Sequence, residues 1–460
     1  MPTLIEAGIF STCILLIIYL SKNQICAFLS TNKKQLSDKE RSPSYSEKSK
    51  PQPPPNTIPK SKTVYGSNES MPVPTPLMIR PEEVQNYDDR PWRPFRWPYH
   101  QTMSIFKLDI NHWLDMDKYY HHFITEKNRI RIKYGKQNFD MLPEGVEACT
   151  ELMEMVVDHM LIRYPLLFTI IKDGSWQKEG KIIRNEVTKE VIDMTLPLKE
   201  APLIYVSKFA KEDFYVVLKN EKDGLHYLVG GAVPFSGGSF SVSDKMGQHI
   251  DAIHEDVPYY KTSLKKSMER WFSKMRPEDP VERASYYITW DTKLKWNNVF
   301  QLEKFFPNLY KDLDESDPKQ FNVRVERQTL RRLPKTQAII FTNHPVFYSI
   351  EEMKDEPMIP SLIKKILYEG PEDILKYKNF EMIRDKLSPY LDSLIERQIS
   401  MGIITNETPL KTQPNYPFAY WVKDNKTQSE FEGWNNPSPA YNKKHMKTEG
   451  FDASKLNDNE

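Results

Sequence analysis

KMGQHIDAIHEDVPYYKTSLKKSMERWFSKM, from Lys245 to Met275, sets the reading of the whole chain. Of its two histidines, His249 and His254, it places His254 at a turn between two kinds of structure. Before it, the run His226–Val233 reads as a strand that ends in a Gly/Ser-rich loop. After it, Leu264, Met268, Trp271, Phe272 and Met275 recur at helical spacing and give one apolar face. Val257-Pro258 stiffens the backbone just past the histidine, since proline fixes its own φ and restricts its predecessor. An imidazole held between a sheet and a packed helix can present a nitrogen to a pocket. It can equally be a hydrogen-bonded structural side chain.

Outward from this stretch, strands are predicted at Leu203–Val206, Phe214–Leu218, Ser285–Trp290, Phe321–Thr329 and Ala338–Thr342. Asn220–Gly224 and Leu333–Gln337 suit hairpin turns. A helix is expected over Gly145–Tyr164, another from Trp113 to Ile132, and more through Leu362–Leu367 and Ile383–Ile395. Strands and helices in separate runs give an α+β fold with a largely antiparallel sheet.

The 460 residues carry 64 basic and 63 acidic side chains, so no basic excess supports general nucleic-acid binding. The three cysteines, Cys13, Cys26 and Cys149, lack metal-ligand spacing and supply no disulfide framework. Gly230-Gly231 and Gly237-Gly238 lack the Lys-Ser/Thr or helix start of a phosphate loop. Four regions follow. Residues 1–30 hold an apolar run, Leu4–Leu20, followed by Lys22, Lys33 and Lys34; it reads as a single-pass membrane anchor with a cytosolic body. Residues 31–85, rich in Ser, Lys and Pro, read as a disordered tether. Residues 86–400 form the folded domain, and 401–460 a polar, loosely ordered tail. The domain opens with Arg90, Trp92, Arg93, Phe95, Arg96 and Trp97, read as an aromatic strap with snorkelling arginines.

A second dense stretch is FNVRVERQTLRRLP, Phe321–Pro334. Strand alternation puts Phe321, Val323, Val325 and Arg327 on one face and Arg324, Glu326 and Gln328 on the other. An arginine among apolar residues needs a counter-charge, either a bound carboxylate or phosphate or a structural Asp or Glu.

Ile253-His254-Glu255-Asp256-Val257-Pro258 with Ser267–Phe272, the stretch Glu326–Pro334, the opening Arg90–Asp109, Arg163-Tyr164-Pro165 and Glu212-Asp213 together resemble the haem-dependent oxidative N-demethylase alpha-subunit-like family. This group was formerly a domain of unknown function and has membrane-anchored fungal members. The resemblance runs from about Arg90 to Leu394. It implies a PAS-like sheet that cups haem b and an oxidoreductase of the monooxygenase type acting on a small secondary amine with O2. It also implies His254 as the axial iron ligand, Arg327 and Arg324 as cofactor contacts, and Arg327, Gln328 and Glu326 as the catalytic wall. No flavin or Fe–S site is expected on this chain, so electrons would come from a separate reductase. The family's motifs at the ligand and scaffold are kept. Its pocket-wall pattern is not, at Phe235–Phe240, Ser285 and Asn343-His344-Pro345. A non-catalytic haem or small-ligand sensor or scaffold is therefore the second reading.

Overall fold

Two hairpins at the centre of one sheet fix the position of everything else. In a computed structural model, which describes residues 71–88, 90–237, 241–292, 294 and 313–420, the sheet has seven antiparallel strands. In chain order these are β1 (Phe106–Lys107), β2 (Phe139–Met141), β6 (Asp213–Lys219), β7 (His226–Ala232), β8 (Val281–Thr289), β9 (Asn322–Arg332) and β10 (Ile339–Ser349). They lie side by side as β1-β8-β9-β10-β6-β7-β2. A separate three-stranded sheet joins β3 (Phe168–Asp173), β4 (Gly180–Asn185) and β5 (Val191–Thr195). The helices are α1 (Tyr120–Tyr134), α2 (Val146–Arg163), α3 (Pro202–Phe209), α4 (Val242–Lys245), α5 (Ile250–Ile253), α6 (Lys265–Lys274), α7 (Ile359–Glu369), α8 (Glu372–Tyr377) and α9 (Phe380–Ser400). The expected α+β class holds.

Pleating sends alternate side chains to opposite faces, and here each face meets a different partner. From β9, Phe321, Val323 and Val325 join Tyr286 and Ile288 of β8 in a core shared with Ile363 of α7 and Leu387 and Leu391 of α9. The other parity brings Leu330, Ile339 and Val217 against Phe272 and Met275, with Met268 and Trp271 of α6 beside them. The helical stripe read in the sequence therefore covers the second face, and α2 with α3 builds the largest core on the first, around Ile340, Phe214 and Val216.

Three expectations need correction. Leu203–Val206 is not a strand but part of α3: Ala201 is extended and Pro202 occupies the first turn, a standard helix start. The β-branched Ile204 and Val206 suggested a strand, and burial between helix and sheet overrides that preference. The tether ends earlier than residue 85, because Met71, Ile79 and Val84 are already buried. The tail begins later than residue 401: Ala419 donates to the Pro91 carbonyl, and Phe418 packs on Trp92 with ring centroids 4.5 Å apart. The apolar run Leu4–Leu20 lies outside the described residues. Among those described, no helix is long and apolar enough to cross a membrane.

The strap is packed as expected, with Trp92 and Phe95 buried, but two of its arginines, Arg90 and Arg93, are buried with it. Arg93 forks onto Glu356, and Arg90 onto Glu282, with Arg90–Glu282 contacts of 3.1 and 2.5 Å between side chains only 2% exposed. Removing one partner of such a pair strands a charge in low dielectric, at a cost of about 3–5 kcal/mol. Glu282→Ala is expected to lose that much in urea unfolding. A loss below about 1 kcal/mol, the range of surface pairs, would contradict it.

Candidate functional site

His254 ends α5. Its Nδ1 lies 2.8 Å from the Ile250 carbonyl oxygen, one turn back along the chain. A carbonyl can only accept, so Nδ1 carries the proton and Nε2 is left with its lone pair. Nε2 has no hydrogen-bond partner among the described residues. The ring stacks on Tyr260, with centroids 5.3 Å apart and planes 17° from parallel. Tyr260 is itself held by its hydroxyl to Asp251 at 2.5 Å, and Lys265 anchors the same carboxylate at 2.7 Å. The reversal that makes this stacking possible passes through Tyr259 at φ +60°, a left-handed conformation rare for a tyrosine. Burial, and then the Arg283 charge, lower the imidazole pKa below its usual value, while the Ile250 contact opposes them. Among the described residues no group of three or more His, Cys, Asp and Glu is arranged around a metal. A lone imidazole is a different kind of site, in which the ligand supplies the remaining coordination.

The sheet face toward His254 follows from the registers. Gln328 pairs with Arg283 on β8 and with Asn343 on β10, and Asn343 pairs with Asp213 on β6. Arg283, Gln328, Asn343 and Asp213 thus form one row across four strands, with Ser285, Tyr215 and Phe341 in the adjoining rows of the same face. On β8 the residues of this face, Val281, Arg283 and Ser285, keep partial exposure while the intervening Glu282, Ala284 and Tyr286 are buried. Gln328, Tyr215 and Phe341 likewise keep accessible surface. Yet burial lowers the pKa of Arg283 and raises that of Tyr215 well above normal. Side chains crowded by protein but still touched by solvent mark a recessed surface, the candidate hollow beside His254. Gln328 makes no hydrogen bond within the described residues. Arg283 has no carboxylate partner there, its buried Nε is unbonded, and its ionisable neighbours include the phenols of Tyr99, Tyr287 and Tyr416 and the like charge of Arg96.

The other expected site residues separate. Arg324 and Glu326 share the open face but satisfy each other: Arg324 Nε meets Glu326 Oε1 at 2.5 Å and its two Nη atoms donate to the carbonyls of Leu294 and Phe235, each at 2.8 Å. Asn343 donates to the second Glu326 oxygen. A Cβ at Gly237 would come within 2.7 Å of Glu326 Oε1, so the Phe235–Gly237 segment can approach only as glycine. This pair holds the rim of the hollow. Arg327 is on the opposite face, as alternation requires, and cannot form one wall with Gln328. There it meets Asp115 at 3.0 Å and the His112 carbonyl. Its counter-charge is structural. Sequence reading missed Arg283, which stands in a strand segment of ordinary composition and acquires its meaning only from having no partner.

Because burial makes the neutral imidazole the favoured folded form, the unfolded chain takes up a proton more readily below pH 6.5. The stability this group contributes is complete above 6.5 and declines as pH falls through that value. In ¹H–¹⁵N spectra of the ligand-free full chain, the His254 ring is expected to titrate below 6.5 with its proton on Nδ1. A midpoint above 6.5, or a proton on Nε2, would contradict the assignment of the free lone pair.

A sequence model described as "Haem-dependent oxidative N-demethylase, alpha subunit-like" matches residues 104–388, a span that holds His254, Arg283 and the whole of β8, β9 and β10.

Proposed function

Since this chain belongs to the haem-dependent oxidative N-demethylase alpha-subunit-like family, we propose that it binds haem b on the open face of the sheet, in a PAS-like cup, with His254 Nε2 as the protein's ligand to iron. The observation that carries this reading is the free lone pair of His254, fixed by the Ile250 carbonyl and by Tyr260, beside a hollow that also contains the unpaired Arg283. The donor set fits the group. A neutral imidazole whose other nitrogen is tied to a carbonyl is the usual protein ligand to a metal. A guanidinium without a carboxylate suits a propionate, which it can fork in two parallel hydrogen bonds. When bound, haem supplies oxygen binding and oxidation of an N-methyl group, with electrons from a separate reductase.

The protein's own residues would do three things there. His254 is held against rotation by its stacking partner, so that its lone pair keeps one direction. Gln328, with no bond of its own, offers an amide donor and acceptor to a ligand over the sheet. Arg324, Glu326 and the Asn343 amide group bond to one another, and Arg324 bonds to the Phe235 carbonyl, which fixes that rim. The substrate proposed is a small secondary amine, in line with the N-demethylase of the family description. The Leu4–Leu20 run as a membrane anchor, placing the domain near a membrane-bound reductase, belongs to the same proposal. So does the alternative of a haem sensor or scaffold, which Arg327's structural engagement favours, because that removes one expected catalytic group from the hollow.

Full-length protein produced with a haem precursor is expected to show a Soret band. His254→Ala should abolish it, and Arg283→Gln should weaken haem affinity roughly tenfold, the scale of a lost charged hydrogen bond. Release of formaldehyde from a secondary amine, with a surrogate reductase, separates the enzyme from the sensor. A colourless wild-type protein contradicts both.

A further inference from the structure

The second face of the central strands carries its own polar row. Arg327 of β9 pairs with His344 of β10. The β10–β6 register, Asn343 opposite Asp213, sets Glu212 beside His344 at the strand end. Both side chains are buried, at 2% exposure each. Neither oxygen of the Glu212 carboxyl has a hydrogen-bond partner, nor does Nδ1 of His344. The nearest counter-charge to Glu212 is Arg327 Nη1 at 4.0 Å, beyond hydrogen-bond reach. The other charged groups facing the pair are Asp115, which already binds Arg327 and His112; Lys211, paired with Asp117; and Lys127 of α1, whose ammonium donates to the carbonyls of Ala210 and Glu212. The Phe123 ring closes the chamber on His344, with centroids 4.6 Å apart.

Three buried, unbonded polar atoms on adjacent strands are not a stable arrangement when dry, since each lost hydrogen bond costs about 1–3 kcal/mol. Internal water relieves such groups, making two to four hydrogen bonds in a polar niche. We infer that Glu212 and His344 enclose a hydration site that holds one exchangeable proton, a proton store on the helix side of the sheet. Water bonded to both groups joins a carboxyl that can give a proton to an imidazole that can take it. Burial favours the neutral form of each: it raises the Glu212 pKa to about 7, against the pull of Lys211 and Arg327, and holds His344 well below the usual histidine value. Lys127, lowered to about 8 by burial, acts electrostatically on both Glu212 and Asp213, and so links this chamber to the open-face row. Glu212-Asp213, a pair that sequence comparison set apart, thereby places one carboxyl on each face.

Haem is not required for this site, so its test uses the full chain without cofactor and is independent of the reading above. Infrared difference spectra over about pH 6 to 8 should show a protonated carboxyl whose C=O stretch moves on transfer to D2O. One component of the band should be lost in Glu212→Gln, leaving those of Asp158 and Glu352, which burial also raises to about 7, and should move in position in Glu212→Asp, which keeps a carboxyl should the glutamine variant not fold. His344→Gln should shift its midpoint. A wild type without such a band in this range, a spectrum unchanged in folded Glu212→Gln, an unmoved midpoint for that component in folded His344→Gln, or a component closed to deuterium would overturn the proposal.

Discussion

Four adjacent strands, β8, β9, β10 and β6, are covered on both faces and yet carry polar side chains on both. Everything distinctive about this protein follows from the way pleating sorts those side chains. One row, Arg283, Gln328, Asn343 and Asp213, faces the hollow beside His254. The next, one residue along each strand, holds Arg327, His344 and Glu212 against the helices. A shift of one residue in register would exchange the two sets. The long apolar runs against α7 and α9 forbid that shift, because Phe321, Val323 and Val325 would then leave their core.

The buried charges divide into those that are spent and those that are not. Arg90 with Glu282 and Arg93 with Glu356 are matched pairs that join distant parts of the chain, the opening strap to β8 and the strap to the turn before α7, while Arg324 pairs with Glu326 within β9 and donates to the Phe235 carbonyl in the loop after β7. Pairs of this kind add little net stability, but breaking them is costly, so they act as registers for assembly. Arg283, Gln328 and the Nε2 of His254 are unspent and occur together on one face, while Glu212 and His344 are left unbonded on the other. Unspent hydrogen-bonding capacity around a hollow is what a ligand site requires.

Much of this was legible in the chain. The α6 stripe from Leu264 to Met275, the hairpins at Asn220–Gly224 and Leu333–Gln337, and the turn at His254 were readable because period and turn chemistry are local signals. The alternation of Phe321–Gln328 even placed Arg327 and Gln328 on opposite faces; assigning both to one wall disregarded it. What stayed hidden is non-local. Strands β3 to β5 carry many charged residues and little alternation, and their turn depends on Gly180 at φ +69°, where a Cβ would meet the Met194 carbonyl oxygen. Arg283 has no unusual neighbours in sequence; only the fold shows that no carboxylate reaches it. His344 and Glu212, 132 residues apart in the chain, become a pair only through the β10–β6 register.

Coordination of iron by His254 Nε2 is the claim on which the functional reading turns. Electron–nuclear double resonance on the haem-loaded full chain, labelled with ¹⁵N in histidine alone, reads it directly. Coupling from one histidine nitrogen is predicted, lost in His254→Gly and restored when ¹⁵N-imidazole is added to that variant. Histidine coupling that persists in His254→Gly would assign the iron to another side chain and contradict the account.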